Sequence, residues 1–516
     1  MDKQAALDEL KKRREISLAM GGEERVERQH KRGRLTARER IDKLVDPGSF
    51  TETGMLTLFQ MPEEDGKLIP RNKLHGYGRI DGRIMSIQSD DSTVLAGTGG
   101  RGPGGRARSA SIPIEAQGGC PIIRFGESGG VHLQSTMGSI GLLAVTYPAS
   151  RLVNPRRVPR IIGMMGNCFG DPTWQAANSE FVVQVKGTCM AVSGPRVLGV
   201  ALEEKTTPED LGGWKVHAEV TGQVDAFAED DAHCARIIRE IVSYIPNNCD
   251  EEPPLVPTGD RPDRLLDELS DLISDDPEQP YDMYPVIQAI VDDGKYFDIK
   301  PFFGKALITC LARINGGVVG IAASQTMHNS GALGVSECEK ATNFIAVCDS
   351  FNIPLVFLVD TPGFLAGEQA EENRIITKMM TWLQAMTLST VPRISIVVRK
   401  AWGMAAASLC GPSGNPDFVA GLTISDYRSM SPESEVNLIH RRRIEEASNP
   451  ETEKADLINS IESGSGPWDA AGSGLIDDLI DPRNTRKYII EHLGILRSQR
   501  GNFIGEHRLQ TWPVGF

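Results

Sequence analysis

Short, almost uninterrupted apolar runs are the clearest pattern along this chain. They read PIIRFG (121–126) and RIIGMMG (160–166) in the first half, and PLVFLVD (354–360) and RISIVVRK (393–400) in the second. Runs of this length with few polar breaks are typical of strands in a sheet that is buried on both faces. Each is followed by a glycine-rich turn and a stretch of helical pattern, such as 337–351. The pattern therefore predicts an α/β architecture.

The two halves of the chain repeat one another at a nearly constant offset. Val158-Pro-Arg-Ile161 recurs 233 residues later as Val391-Pro-Arg-Ile394, and Phe169-Gly170 falls on Trp402-Gly403 at the same offset. Any two α/β domains share strand-turn patterns, but several landmarks at one offset favour a duplicated domain.

We therefore predict two tandem domains, 1–255 and 256–516, with the segment rich in Pro and Asp at 246–284 as their linker. The N-terminal residues predict a charged helical arm, in which Thr36-Ala-Arg-Glu39 resembles a capping box. Asp481-Pro482 predicts the start of a last helix.

Composition excludes several classes of protein. A length of 516 residues suits two cores, and a net charge of −14 disfavours non-specific nucleic-acid binding. No apolar run reaches the roughly 18 residues of a membrane span, and no signal core opens the chain, so we expect a cytoplasmic protein (or one of the mitochondrial matrix, if eukaryotic). Nine scattered cysteines predict reduced thiols, and the histidines lack metal-ligand spacing, so no metal is expected.

Glycines at matching strand ends are the candidate chemistry, since HExxH and P-loop motifs are absent. They lie in 126–130 and 166–170 of the first half, and in 360–364 and 400–405 of the second. Glycine lets a backbone approach a ligand and point free N–H groups at it, and a helix beginning just afterwards adds its positive end. The pattern favours paired oxyanion holes over plain strand-to-helix turns.

A second glycine-rich stretch, 97–108, contains three arginines. It fits a cradle for phosphate or diphosphate, and a glycine loop with solvated arginines is the open alternative.

Longer motifs resemble the carboxyltransferase (beta) subunits of propionyl-CoA, acetyl-CoA and methylcrotonyl-CoA carboxylases. The resemblance covers most of the chain and includes KRGRLTARERIDKLVDPGSF (31–50), HGYGRIDGR (75–83), GESGG (126–130), EDLGGWKVHAEVTGQVD (209–225), FNIPLVFLVDTPGFLAG (351–367), VVRKAWG (397–403) and GLIDDLIDPRNTRKYIIEHL (474–493).

The resemblance implies two tandem crotonase-like (ClpP/crotonase) ββα-spiral domains in a homo-oligomer, either a dimer of dimers or a hexamer. It implies transfer of CO2 from carboxybiotin to the α (or vinylogous) carbon of an acyl-CoA, with no side-chain base. Gly129 and Gly130 would hold the thioester enolate, and Gly403, Met404 and Ala405 the ureido oxygen of biotin. The further substrate-binding positions are Gly99, Gly100, Arg101, Arg106, Arg108, Val131, Phe169, Gly170, Gly363, Phe364, Trp402, Ala406 and Ala407.

The chain has no biotinylation motif and no ATP-binding module, so biotin is expected on a partner, a biotin carboxylase/biotin carboxyl carrier subunit. Four departures from the family pattern stand out: GGARIQEG reads GGVHLQST (129–136), CAGGA reads CFGDP (168–172), YGGAY reads WGMAA (402–406), and a frequent Asp is Ala407. They leave open a biotin-independent CoA-ester decarboxylase, hydrolase or lyase, a non-catalytic subunit, and an uncommon acyl group.

Overall fold

The computed structural model describes residues 2–60, 67–98, 119–132, 138–139, 156–462, 464–499, 504–505 and 507–512. The chain divides into two units, one ending at Glu251 and the other running from Glu252 to Trp512. Each unit is built on one eight-stranded sheet.

Unit 1 contains ten strands among its described residues: β1 Thr51–Thr53, β2 Leu58–Gln60, β3 Leu68–Pro70, β4 Lys73–Ile80, β5 Arg83–Asp90, β6 Ile122–Ser128, β7 Arg160–Phe169, β8 Phe181–Val185, β9 Cys189–Ala191 and β10 Ala226–Ala228. The sheet order is β1-β4-β5-β6-β7-β8-β10, with β9 beside β7, while β2 and β3 pair separately. β1, β4 and β5 are antiparallel neighbours, and every pair from β5 onwards is parallel.

Unit 2 repeats this topology strand for strand. Its described strands are β11 Tyr296–Ile299, β12 Leu307–Ile314, β13 Gly317–Ser324, β14 Leu355–Thr361, β15 Arg393–Trp402, β16 Phe418–Leu422, β17 Asp426–Arg428 and β18 Asp478–Ile480. The order is β11-β12-β13-β14-β15-β16-β18 with β17 beside β15, and pairing again changes from antiparallel to parallel after the second pair. Every residue of β14 and β15 is buried, as the apolar runs predicted. The repeat in the sequence is thus a repeat of the fold.

Helices surround both sheets. They are α1 Lys3–Leu18, α2 Glu23–Lys31, α3 Ala37–Leu44, α4 Asp171–Ala177, α5 Pro195–Ala201, α6 Pro208–Gly212, α7 Asp231–Tyr244, α8 Leu269–Leu272, α9 Met283–Ile290, α10 Val335–Ser350, α11 Glu368–Glu372, α12 Ile375–Leu388, α13 Gly403–Ser408, α14 Pro432–Ile439, α15 Arg441–Glu446, α16 Pro450–Glu462, α17 Pro467–Gly472 and α18 Thr485–Gln499. The predicted helical arm is confirmed as α1 to α3, including the capping box of Thr36 and Glu39. Within the described part of the chain, no helix is both long and apolar enough to cross a membrane.

Two segments differ in detail from a simple reading of the sequence. The predicted linker 246–284 contains the boundary between the units, and its later part packs, since Leu266, Leu269 and Ile273 are buried in the core of unit 2. Asp481-Pro482 opens a 3₁₀ turn rather than the last helix, which begins at Thr485.

In each unit an arginine of a late helix binds a backbone carbonyl and an aspartate near the β4–β5 or β12–β13 hairpin, and we call this contact the arginine clasp. In unit 1, Arg239 of α7 donates to the Leu44 carbonyl at 2.7 Å and pairs with Asp46 at 3.2 Å. Asp46 also accepts the N–H groups of Asp81 and Gly82, which form the turn between β4 and β5.

Unit 2 contains an equivalent arginine clasp, in a different local sequence. Arg486 of α18 donates to the Ile290 carbonyl and to Asp292, both at 2.7 Å. Asp292 accepts the N–H groups of Asn315 and Gly316 in the turn between β12 and β13. The clasp therefore ties a late helix of each unit to the turn of its β4–β5 or β12–β13 hairpin.

All nine cysteines are free and buried, consistent with the expected reduced thiols. Burial raises the pKa of Cys189 to about 11 and that of Cys410 to about 12. Burial also raises the pKa of five further thiols, those of Cys168, Cys234, Cys310, Cys338 and Cys348.

These thiols predict a loss of stability in alkali. Unfolded thiols ionise near their ordinary pKa of 9.0, whereas the folded thiols stay protonated to higher pH. The unfolded state then binds fewer protons, so the free energy of unfolding falls as pH rises through 9. Lys340, whose pKa burial lowers to about 8, acts in the opposite direction but is one group against seven. Urea denaturation at pH 8, 9 and 10 in reducing buffer measures this. A midpoint that is constant or rises would contradict it, and Cys410→Ala should flatten the slope.

Candidate active site

The candidate site of each unit lies where the two central parallel strands end. In unit 1 the pairing of β6 with β7 passes from Gly126–Met164 to Ser128–Cys168, so that β7 carries two more residues across the shift. Unit 2 has the same shift, from Val359–Val397 to Thr361–Ala401. In both units pairing resumes at the last residue of the first strand, and both strands then lead into glycine turns.

Gly129 does not offer a free amide in unit 1. Its N–H donates to the Ala96 carbonyl at 2.9 Å, a bond that ties the end of β6 to the 3₁₀ turn Leu95–Gly97. A ligand at this amide would have to compete with this bond, so the use of Gly129 as an oxyanion donor stays a prediction.

Gly130 is the more available amide of the pair. Its N–H lies 3.2 Å from Ser128 Oγ, which itself donates to the Gly97 carbonyl at 2.8 Å. Gly130 has φ +99°, a conformation that side chains rarely adopt, and a Cβ there would lie 3.6 Å from Phe169 Cβ. The turn thus brings together two of the predicted residues, Gly130 and Phe169.

The turn after β7 forms the second part of the unit 1 site. Gly170 has φ +71°, and its carbonyl accepts the N–H groups of Thr173 and Trp174. Pro172 has no N–H, so Asp171 is left as the first-turn amide of α4 without an intrahelical partner. Here the turn presents one amide and one carboxylate. Val131, at the far side of the turn, is 37% exposed.

In unit 2 the turn after β14 follows the same plan. Gly363 has φ +147°, its N–H lies 3.4 Å from Thr361 Oγ1, and that hydroxyl donates to the Gly331 carbonyl at 2.8 Å. Pro362 stands where unit 1 has Gly129. Phe364 meets Trp382 edge to face at 6.3 Å.

The turn after β15 opens directly into α13. Gly403 has φ +57°, and a Cβ there would come within 2.9 Å of the Ser429 carbonyl. Gly403, Met404 and Ala405 form the first turn of this helix, so their amides have no intrahelical acceptor. The Met404 side chain is 52% exposed, whereas the side chains of Ala405, Ala406 and Ala407 are buried.

Trp402 is held rigidly at the end of β15. Its indole N–H donates to Asp426 at 2.8 Å, and the Lys400 ammonium and Arg428 guanidinium lie 5.1 and 5.5 Å from its ring centre. The predicted positions Gly99, Gly100, Arg101, Arg106 and Arg108 lie outside the described residues.

A buried acid at each register shift escaped the sequence analysis. Glu127 of β6 pairs with Arg40 at 2.6 Å and Arg34 at 3.3 Å, and Asp360 of β14 pairs with Arg399 at 2.9 Å. Burial is the largest single influence and would raise the pKa of Glu127, but Arg40, Gln29 and Arg34 together outweigh it and the pKa is lowered. The sequence did contain a signal for these acids, because Glu127-Ser128 and Asp360-Thr361 are separated by the same 233 residues as the other repeated landmarks. Among the described residues, no cluster of three His, Cys, Asp or Glu suits a metal ion.

Known proteins share both the sequence and the fold. The family model described as the carboxyl transferase domain matches residues 28–509. The propionyl-CoA carboxylase carboxyltransferase subunit of Haloferax mediterranei is 33% identical over 96% of each chain. The methylmalonyl-CoA decarboxylase subunit alpha of Veillonella parvula is 35% identical over 94% of each chain. The solved transcarboxylase 12S hexamer, with methylmalonyl-coenzyme A and methylmalonic acid bound, matches with a TM-score of 0.89 and 33% identity, over 98% of this chain and 97% of that one. The predicted class of two tandem crotonase-like domains is confirmed.

Gly97→Ala should destabilise unit 1 at the candidate site. Gly97 has φ +65°, and a Cβ would meet the Glu127 carbonyl oxygen at 2.2 Å. We expect the free energy of unfolding to fall by about 2 kcal/mol or more, from backbone strain and the clash together. Gly82→Ala is the control, because φ is +80° but nothing lies within 4 Å, and there the loss should be about 1 kcal/mol. Equal losses in chemical denaturation would contradict the close approach.

Proposed function

The chain belongs to the carboxyl transferase domain family, and from that premise we propose that it is the carboxyltransferase subunit of a biotin-dependent acyl-CoA carboxylase. It moves a carboxyl group between biotin and the α (or vinylogous) carbon of an acyl-CoA. The observation that carries the proposal is the pair of strand-end turns, each with a left-handed glycine and a helix that begins just behind it.

In unit 1 we assign the acyl thioester to the turns after β6 and β7. Removal of the α proton places negative charge on the thioester oxygen, and the amides of Gly130 and Asp171 are the donors suited to it. Fixed amides stabilise such charge without having to reorient during the reaction. Because Pro172 contributes no donor and Asp171 brings a carboxylate, this hole is poorer in positive potential than the turn of unit 2.

In unit 2 we assign the biotin ureido oxygen to the amides of Gly403, Met404 and Ala405. The residues present fit a neutral, partly apolar ring: these amides have no intrahelical acceptor, and the exposed Met404 side chain stands beside them. Bound carboxybiotin supplies the carboxyl group and the base. The chain itself positions the two reactants and binds their oxygen atoms, which suits a site without a side-chain base.

The partners follow from the same assignment. Biotin arrives on a biotin carboxylase/biotin carboxyl carrier subunit, and the substrate is an acyl-CoA. The relative transcarboxylase 12S is described as a hexamer, which supports a homo-oligomer for this chain.

A second candidate is removal of the carboxyl group from a carboxylated acyl-CoA. It is favoured by relatives named methylmalonyl-CoA decarboxylase subunit alpha, at 35% and 34% identity. A biotin-independent decarboxylase, hydrolase or lyase would use only the holes that bind the thioester.

Transfer of labelled bicarbonate tests the proposed direction. The chain is incubated with a biotin carboxylase, its biotin carrier, ATP and a panel of acyl-CoAs, and we expect acid-stable label on at least one thioester. Omission of the carrier should abolish labelling. Absence of label, together with carrier-independent turnover of a malonyl-type CoA, would contradict the proposal and favour the biotin-independent alternative.

Ala405→Pro should remove one donor while keeping the helix. At an offset of 233 residues, Ala405 matches Pro172, so the sister turn already carries proline at this position. Proline is accepted in a first helical turn, where its missing N–H has no intrahelical role. We expect kcat to fall about 100-fold, with circular dichroism and the denaturation midpoint as controls for folding. An undiminished kcat would exclude the Ala405 amide from the site.

A further inference from the structure

The buried acid at each register shift lies three residues before a glycine of the turn that follows the strand. Glu127 precedes Ser128, whose hydroxyl oxygen accepts a hydrogen bond from the Gly130 N–H. Asp360 likewise precedes Thr361, whose hydroxyl oxygen accepts a hydrogen bond from the Gly363 N–H. Both acids are buried, at 5% and 1% exposure. A buried ion pair is by itself weak evidence of a contribution to stability. The occurrence of such an acid at the equivalent position of both units therefore suggests a different role.

In unit 2 the partner of the acid comes from the neighbouring strand. Arg399 of β15 binds Asp360 Oδ2 at 2.9 Å, and the Lys400 N–H donates to Asp360 Oδ1 at 3.1 Å. The same guanidinium donates to the carbonyls of Ser274, Asp276 and Gln279 at 3.2, 2.8 and 3.0 Å.

In unit 1 the partner comes from the N-terminal arm. Arg40 of α3 bridges Glu127 Oε2 at 2.6 Å and Asp231 Oδ2 at 2.7 Å, and its side chain is fully buried. Arg34 and Gln29 add contacts to Glu127 at 3.3 and 2.8 Å.

The two units have exchanged the position of the cation. The strand position of Arg399 is Gly166 in unit 1, where a Cβ would lie 2.4 Å from Glu127 Cγ. The helix position of Arg40 is Val286 in unit 2, because α3 and α9 align over their whole length, and Val286 is buried in the core. Each unit therefore keeps a fully buried or nearly buried guanidinium against the acid, from α3 in unit 1 and from β15 in unit 2.

We propose that these acid–guanidinium pairs are positioning residues, which hold the strand end and with it the Gly130 turn, where the thioester is assigned in unit 1, and the equivalent Gly363 turn of unit 2. This rests on the proposed function. The acid lies one residue before the serine or threonine whose hydroxyl accepts the glycine N–H. Displacing the acid would therefore also displace the amide of Gly130 or Gly363, three residues further along the chain. In unit 1 this makes the arm, through Arg40, Arg34 and Gln29, part of the active-site support.

The test compares kinetics with amide exchange in the full chain, assembled with its biotin partners. Glu127→Gln keeps the size of the side chain and removes its charge. Arg40→Lys keeps the positive charge but lacks the guanidinium that bridges Glu127 and Asp231. The double variant Arg40→Met/Glu127→Gln removes both charges of the Arg40–Glu127 pair. We expect Glu127→Gln to lower kcat about 10- to 100-fold, with KM for acyl-CoA within about twofold. We also expect amide hydrogen exchange to be faster in the peptide 122–132. The double variant should lose less than the sum of Arg40→Met and Glu127→Gln, since it leaves no unpaired Glu127.

Arg239→Met is the matched control. It breaks an arginine–aspartate contact of the same unit at the opposite ends of the strands, so it should lower the denaturation midpoint without changing kcat. The proposal is overturned if Glu127→Gln leaves kcat within twofold of the wild type, or if kcat falls without faster exchange at 122–132. If the wild-type chain transfers no carboxyl group, the proposed function fails, and the exchange measurement alone decides whether the acid holds the turn.

Discussion

The register shift between the two central parallel strands is the constraint on which the rest of each unit depends. The shift lets the second strand of each pair run two residues further than regular parallel pairing would allow. Pairing resumes at Ser128 in unit 1 and at Thr361 in unit 2, and the chain then turns away through glycines with positive φ. The amides of these glycines lie just beyond the last paired residues of the strands, and therefore outside the ladder.

Keeping that interrupted end in place requires polar groups inside an apolar structure. The threonine or serine hydroxyl ties the turn to a neighbouring carbonyl, and the buried acid with its guanidinium holds the strand just before it. Burying these charges costs free energy unless each is paired and hydrogen-bonded. Their presence at the same point in both units is the observation on which the proposed positioning role rests.

Duplication explains why the units agree, and divergence shows which groups can be exchanged. The clasp that closes the first hairpin uses Arg239 with Asp46 in one unit and Arg486 with Asp292 in the other. The turns that follow β7 and β15 differ more, because Asp171-Pro172 in unit 1 corresponds to Met404-Ala405 in unit 2. The first pair offers one amide beside a carboxylate, and the second offers two amides beside an exposed apolar side chain. That difference suits two oxygen atoms of different charge and surroundings.

The sequence by itself determined the strands, their glycine turns and the duplication, because apolar periodicity and turn residues act over a few neighbouring positions. It also placed Gly130 and Gly403 at the ends of the correct strands. Only the tertiary structure decided that the Gly129 amide is committed to Ala96, and that Glu127 receives its cation from Arg40, 87 residues earlier in the chain. Hydrogen-bond partners and charge partners of this kind depend on which distant segments pack together. A local pattern shows that a donor or an acid exists, and the fold decides what it meets.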